Sequence, residues 1–209
     1  MRGLFGYDGA VTGFLMKIGD CVLLSIFWVL FSLPVITLGA STTALYHAVR
    51  KVLREDQNGI WAFFWEGFRE NFKQSTAIWL ILLVVFSLLG LSASSAVALY
   101  EEGRVSLTML ILLGIVLALA VMWALYLFPC VDRFQSTVRQ IVKSCAQVAV
   151  INILWSLVLL LIFGLSVFLT VNLPVGLMIV PGAGMYFSCP ILEHVFAKYM
   201  NQEPEEDSQ

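Results

Sequence analysis

The stretch FSLPVITLGASTTALYHAV, Phe31 to Val49, decides how this chain is organised. It follows an apolar run from about Phe14 to Leu33 that is long enough to cross a bilayer. It opens on Pro34 and then lines up Thr37, Gly39, Ala40, Ser41, Thr42, Thr43 and Ala44. Proline lacks an N–H and so suits a first helical turn, where that donor has no partner in any case. Glycine, alanine and serine let a neighbouring helix approach closely. The hydroxyls can bond to carbonyls of their own helix or reach a neighbour. The stretch therefore reads as a second, closely packed helix running back from a corner at Leu33–Pro34. Two other readings stand beside it: a lining for a polar path, with Ser41 and Thr42 as buried polar candidates, and a signal-peptide cleavage region. The apolar region is long for a signal peptide, and more apolar runs follow it.

Composition sets the class. Of 209 residues, 60% are hydrophobic and 12% charged, with a mean hydropathy of +0.90. A soluble domain is nearer one-half apolar and one-quarter charged, so the expectation is an all-α, polytopic membrane helix bundle in contact with lipid. No basic patch of the density a nucleic-acid binder needs is present. Six spans are expected: Phe14 to Leu33, Pro34 to about Leu53, Ser75 to Leu99, Leu107 to Cys130, Cys145 to Val171, and Pro174 to about Phe196. Pro181-Gly182-Ala183-Gly184 is expected to kink or break the last of these. Residues 1–198 would form one transmembrane domain, and 199–209 an acidic, disordered cytoplasmic tail.

The basic residues test this layout. With six crossings, eleven of the twelve Lys and Arg fall on one face and Arg104 alone on the other. Basic loops stay cytoplasmic, so both termini are expected inside the cell membrane.

Between spans two and three, Ile60, Phe64, Phe68 and Phe72 recur every fourth residue, joined by Trp61 and Trp65. Glu66, Arg69, Glu70 and Lys73 take the other face. This pattern is an aromatic amphipathic helix at the cytoplasmic surface. Trp61, Phe64, Trp65, Phe68 and Phe72 are its candidate interfacial or partner-docking residues. Asn58-Gly59 should end the helix before it. Further on, Arg139 and Lys143 lie four apart, facing anionic lipid from one helix face.

Few ionisable groups fall inside the apolar runs. Lys17 and Asp20 lie three apart on the first helix and can pair, or Asp20 can face the bundle as a functional carboxylate. His47, Asn152, Asn172, Glu193 and His194 are scattered near helix ends. Cys21, Cys130, Cys145 and Cys189 form no C-x-x-C pair and read as small buried hydrophobes. No glycine-rich phosphate loop, metal-ligand cluster or nucleophile motif is present. The expectation is a protein that is not an enzyme, with no catalytic residue, cofactor or metal.

Four stretches carry a family resemblance: GLFGYDG, KIGDCVLLSIFWVLFSLPVITLGASTTALYHAV, NGIWAFFWEGFRENFKQSTAIWLI and LYLFPCVDRFQSTVRQIVKS. Together they resemble the YesL-like family of small bacterial membrane proteins, also called DUF624. Members are typically encoded beside carbohydrate ABC importers. The resemblance thus implies an accessory role in sugar or oligosaccharide uptake, with importer permeases or their ATPase as partners. It assigns no site residues. An autonomous small transporter or channel, and a membrane regulator coupled to a two-component system, are the competing readings.

Overall fold

The computed structural model describes residues 10–134, 137–173 and 176–200, with side chains from Leu15 to Ala197. Among them every regular element is helical: α1 (Ala10–Ser32), α2 (Leu38–Ala48), α3 (Ile60–Glu101), α4 (Leu107–Arg133), α5 (Val138–Ile151), α6 (Ile153–Asn172) and α7 (Val180–Met200). Four helices are long and apolar enough to cross a membrane: α1, α3, α4 and α6. This is a multi-pass arrangement with four candidate spans rather than the expected six. α2 falls short on length, at 11 residues, and α7 because glycine, proline and charged side chains dilute its apolar content.

The corner at Pro34 forms much as expected. Pro34 caps a single 3-10 turn, Val35–Thr37, and α2 begins only at Leu38. The Thr37 hydroxyl closes the corner, 2.6 Å from the Phe31 carbonyl and 2.7 Å from that of Pro34. α2 is the centre of the bundle, with all its residues buried except Leu38 and Thr42. Its glycine is essential to this. A Cβ on Gly39 would lie 2.6 Å from both the Ser75 carbonyl oxygen and Trp79 Cβ. On the opposing helix, a Cβ on Gly67 would lie 2.7 Å from His47 Cβ. The Thr43 and Ser75 hydroxyls bond across the same seam at 2.8 Å, and Trp79 Nε1 donates to the Val35 carbonyl at 2.6 Å.

α2 does not end as an α-helix. It widens into a π-helical turn, Val49–Arg54, and the chain reverses through Glu55–Gly59. Gly59 sits at φ 127, a backbone conformation open to glycine and strained for other residues. The break at Asn58-Gly59 is thus where the sequence placed it.

Three expected boundaries are corrected. First, the amphipathic segment is not a separate surface helix. α3 runs without interruption from Ile60 to Glu101, because nothing between contains proline and the glycines are isolated. At about 1.5 Å per residue, its 42 residues extend about 63 Å, twice the ~30 Å hydrocarbon core. One helix therefore carries both the apolar span and the charged, aromatic segment. Second, the fifth span is broken at Asn152. The Asn152 side-chain amide donates to the Val148 carbonyl at 3.1 Å, a local bond of the kind that competes with helix continuation. α5 becomes a separate amphipathic helix that buries Ile141, Cys145, Val148 and Ala149 and exposes Arg139 and Lys143. Third, Pro181-Gly182-Ala183-Gly184 does not break α7 but begins it, where proline costs no ladder bond. Gly182 allows contact with α1: its N–H donates to Ser25 Oγ at 2.8 Å.

α7 extends to Met200, so residues 199 and 200 belong to the helix and not to the tail. Residues 201–209, the GYDG motif, and Pro174 and Val175 lie outside the described residues. The four cysteines are free; Cys130, Cys145 and Cys189 are buried and Cys21 partly so.

Candidate functional sites

The aromatic residues of α3 divide between two jobs. Phe64 is fully buried and sits 5.8 Å from Phe27 and 5.5 Å from Phe31, ring centre to ring centre. It is a core residue and not a docking residue. The helical repeat that suggested a single face misled here, because α1 packs over part of that face. Trp61, Trp65, Phe68 and Phe72 form a continuous ladder, with successive centroids 5.8, 5.8 and 5.4 Å apart. Trp61 is 51% exposed and Trp65 41%. Phe31 packs against the inner edge of the ladder, touching Trp61, Trp65 and Phe68. Trp65, Phe68, Arg69, Glu70, Phe72 and Lys73 line a shallow groove. The ladder is thus held rigid from below and open above.

A second site is one that sequence reasoning did not assemble. His47, from α2, and Arg50, from the π-turn, hold one carboxylate between them. His47 Nδ1 lies 2.6 Å from Asp132 Oδ1, and Arg50 donates to Asp132 Oδ2 at 3.1 Å. The Asp132 side chain is only 2% exposed. Its chain neighbour Arg133 turns the other way and pairs with Glu193 of α7, which also accepts from the Tyr46 hydroxyl at 2.5 Å. Consecutive residues of α4 thus pin it to two helices. A buried carboxylate left without its cation would cost about 3–5 kcal/mol, so each pair holds the packing in one arrangement. The only sequence signal was the chemistry of single residues: acid and base adjacent at 132–133, and His47 three before Arg50. Periodicity along one helix does not reveal that four elements meet.

The other named candidates separate. Lys17 pairs with Asp56 at 3.0 Å and not with Asp20. The π-turn and its loop bring Asp56 to α1, a tertiary contact that spacing within α1 could not show. Asp20 is partly exposed and borders a surface groove with Met16, Lys17, Val52, Asp56 and Gln57. Ser41 and Thr42 bond back to the Thr37 and Leu38 carbonyls at 3.0 and 2.8 Å, and Thr42 also accepts from Trp28 Nε1 at 3.2 Å. Among the described residues, no three metal-ligating side chains converge.

Residues 21–93 match the family model DUF624, described as a protein of unknown function. That segment holds the second half of α1, all of α2, the π-turn and most of α3, so the glycine seam and the aromatic ladder both fall within it. The DUF624 match agrees with the resemblance read from the sequence. Asp132, Arg133 and Glu193 lie beyond it. No curated protein and no solved structure matches the chain.

Proposed function

We propose that this DUF624 protein is a non-enzymatic membrane subunit that docks on a larger membrane assembly through α3. The observation that carries this reading is the exposed ladder of Trp61, Trp65 and Phe72 beside exposed Glu66, Arg69, Glu70 and Lys73. Such a face suits two settings, the lipid headgroup boundary and the surface of another protein. A protein surface offers both an apolar pocket and polar partners, and tryptophan is the residue most enriched in such contacts. The family resemblance supplies the class of partner: a carbohydrate ABC importer, through its permeases or ATPase.

Charge supports a six-crossing topology in the cell membrane with both termini cytoplasmic. Six crossings put eleven of twelve basic residues on one face, whereas four would divide them eight to four. An autonomous transporter or channel draws less support. The α2 hydroxyls that would line its path are bonded to their own helix or across a buried seam.

The test is co-purification of the tagged protein from its native membrane in mild detergent. Recovery of importer permeases or their ATPase supports the reading. Recovery of intact, folded protein alone across several detergents counts against it.

A further inference from the structure

His47 occupies a position between two carboxylates. Its Nδ1 faces Asp132, while its Nε2 is buried, has no hydrogen-bond partner, and lies 4.0 Å from Glu66 Oε2 of α3. The His47 side chain is 10% exposed and that of Glu66 49%. α3 rests directly on this imidazole, because Gly67 follows Glu66 and leaves no room for even a Cβ above His47.

We propose that His47 is a proton-binding latch that fastens α3 to α2 and α4. The charge count around it gives the direction. When the imidazole carries a proton on each nitrogen, it faces Asp132 of α4 on one side and Glu66 of α3 on the other. Arg50 supplies the second cation, shared between Asp132 and Glu55, and Lys51 also pairs with Glu55. From α7, Glu193 is occupied by Arg133 and Tyr46. Two cations then balance Asp132 and Glu66. Loss of the imidazole proton keeps the Nδ1 bond to Asp132 and removes the attraction to Glu66, leaving one carboxylate in excess across the α2–α3 seam. The contact is therefore fastened while the imidazole holds a proton on each nitrogen and loosened when it gives one up. Protons reach the site through half-exposed Glu66.

The chain has two histidines. His194 is exposed and stacks near Trp155, so it serves as the control. The experiment is hydrogen exchange by mass spectrometry on the full chain in detergent, at about pH 5.5 and about pH 8, corrected for the intrinsic pH dependence of exchange. Peptides covering residues 44–48 and 60–67 should open about two- to five-fold more at the higher pH, the range expected of a half-exposed ion pair. Glu66→Gln should abolish that difference, and His194→Gln should retain it. Equal opening at both pH values in the native chain would overturn the proposal. So would a Glu66→Gln variant that keeps the full difference. Glu66 is exposed enough for its glutamine variant to fold even where a His47 variant fails.

Discussion

Gly39→Ala and Gly90→Ala are the same chemical change on helices of one bundle, and the structure gives them opposite signs. An added Cβ at Gly39 meets the Ser75 carbonyl oxygen and Trp79 Cβ at 2.6 Å each, with Phe128 Cε1 at 3.1 Å. Ordinary contact begins near 3.4 Å, so α2 and α3 must separate by roughly 0.8 Å. The two closest atoms cannot rotate away, because one is backbone and the other is the root of a side chain. Overpacking of this kind costs about 1–3 kcal/mol. The Thr43–Ser75 bond and the Trp79 bond to Val35 span the same seam, and stretching them adds to that cost. Against this, alanine is favoured over glycine within a helix by about 1 kcal/mol. The net for Gly39→Ala is a loss of about 1–3 kcal/mol, or about 2–4 °C per kcal/mol for a chain of this size. At Gly90 nothing lies within 4 Å, so only the propensity gain of up to ~1 kcal/mol remains. Thermal unfolding of both variants in one detergent measures the difference. A Gly39→Ala protein as stable as the native chain would refute the close-packed seam.

The remaining predictions concern single contacts. Arg133→Ala leaves Glu193 with only Tyr46 for a partner; since both side chains are about a quarter exposed, solvent reduces the buried-pair cost to about 1–3 kcal/mol. A double-mutant cycle with Glu193→Gln should recover most of that loss in thermal melts, because the orphaned charge is gone. Ser25→Ala removes the acceptor for the Gly182 N–H and should cost about 1–2 kcal/mol, whereas Gly182→Ala, whose Cβ would lie 2.5 Å from the Cys21 carbonyl, should cost more. Trp65→Ala gives up ring contacts with Phe31, Trp61 and Phe68 and should cost about 1–3 kcal/mol in a protein that still folds, yet abolish co-purification of the partner; full retention of the partner would contradict the docking role of the ladder.

Helix content and membrane character were legible because they depend on local composition and on runs longer than any one contact. The corner at Pro34 and the burial of α2 were legible too, since proline and small residues act at the positions they occupy. What escaped was settled between elements. α3 is continuous because no residue stops it, and an amphipathic pattern that changes to an apolar one does not by itself end a helix. The break at Asn152 depends on one side-chain bond within an otherwise apolar run. Lys17 finds Asp56 only after the π-turn has delivered that loop to α1. Phe64 shares its period with the exposed ladder, and only the position of α1 separates core from surface. The Asp132 site needs His47, Arg50 and Glu66 from three segments, and no spacing in one dimension reports their meeting.

The docking claim is tested most directly by site-specific photo-crosslinking in native membranes. A photoreactive residue replaces Trp65 in the ladder, and a second protein carries it at Leu88, an exposed apolar position farther along the same helix. The account predicts a crosslink from position 65 to an importer subunit and none from position 88 to that subunit. No protein crosslink from position 65, in a protein that is folded and correctly inserted, would contradict it.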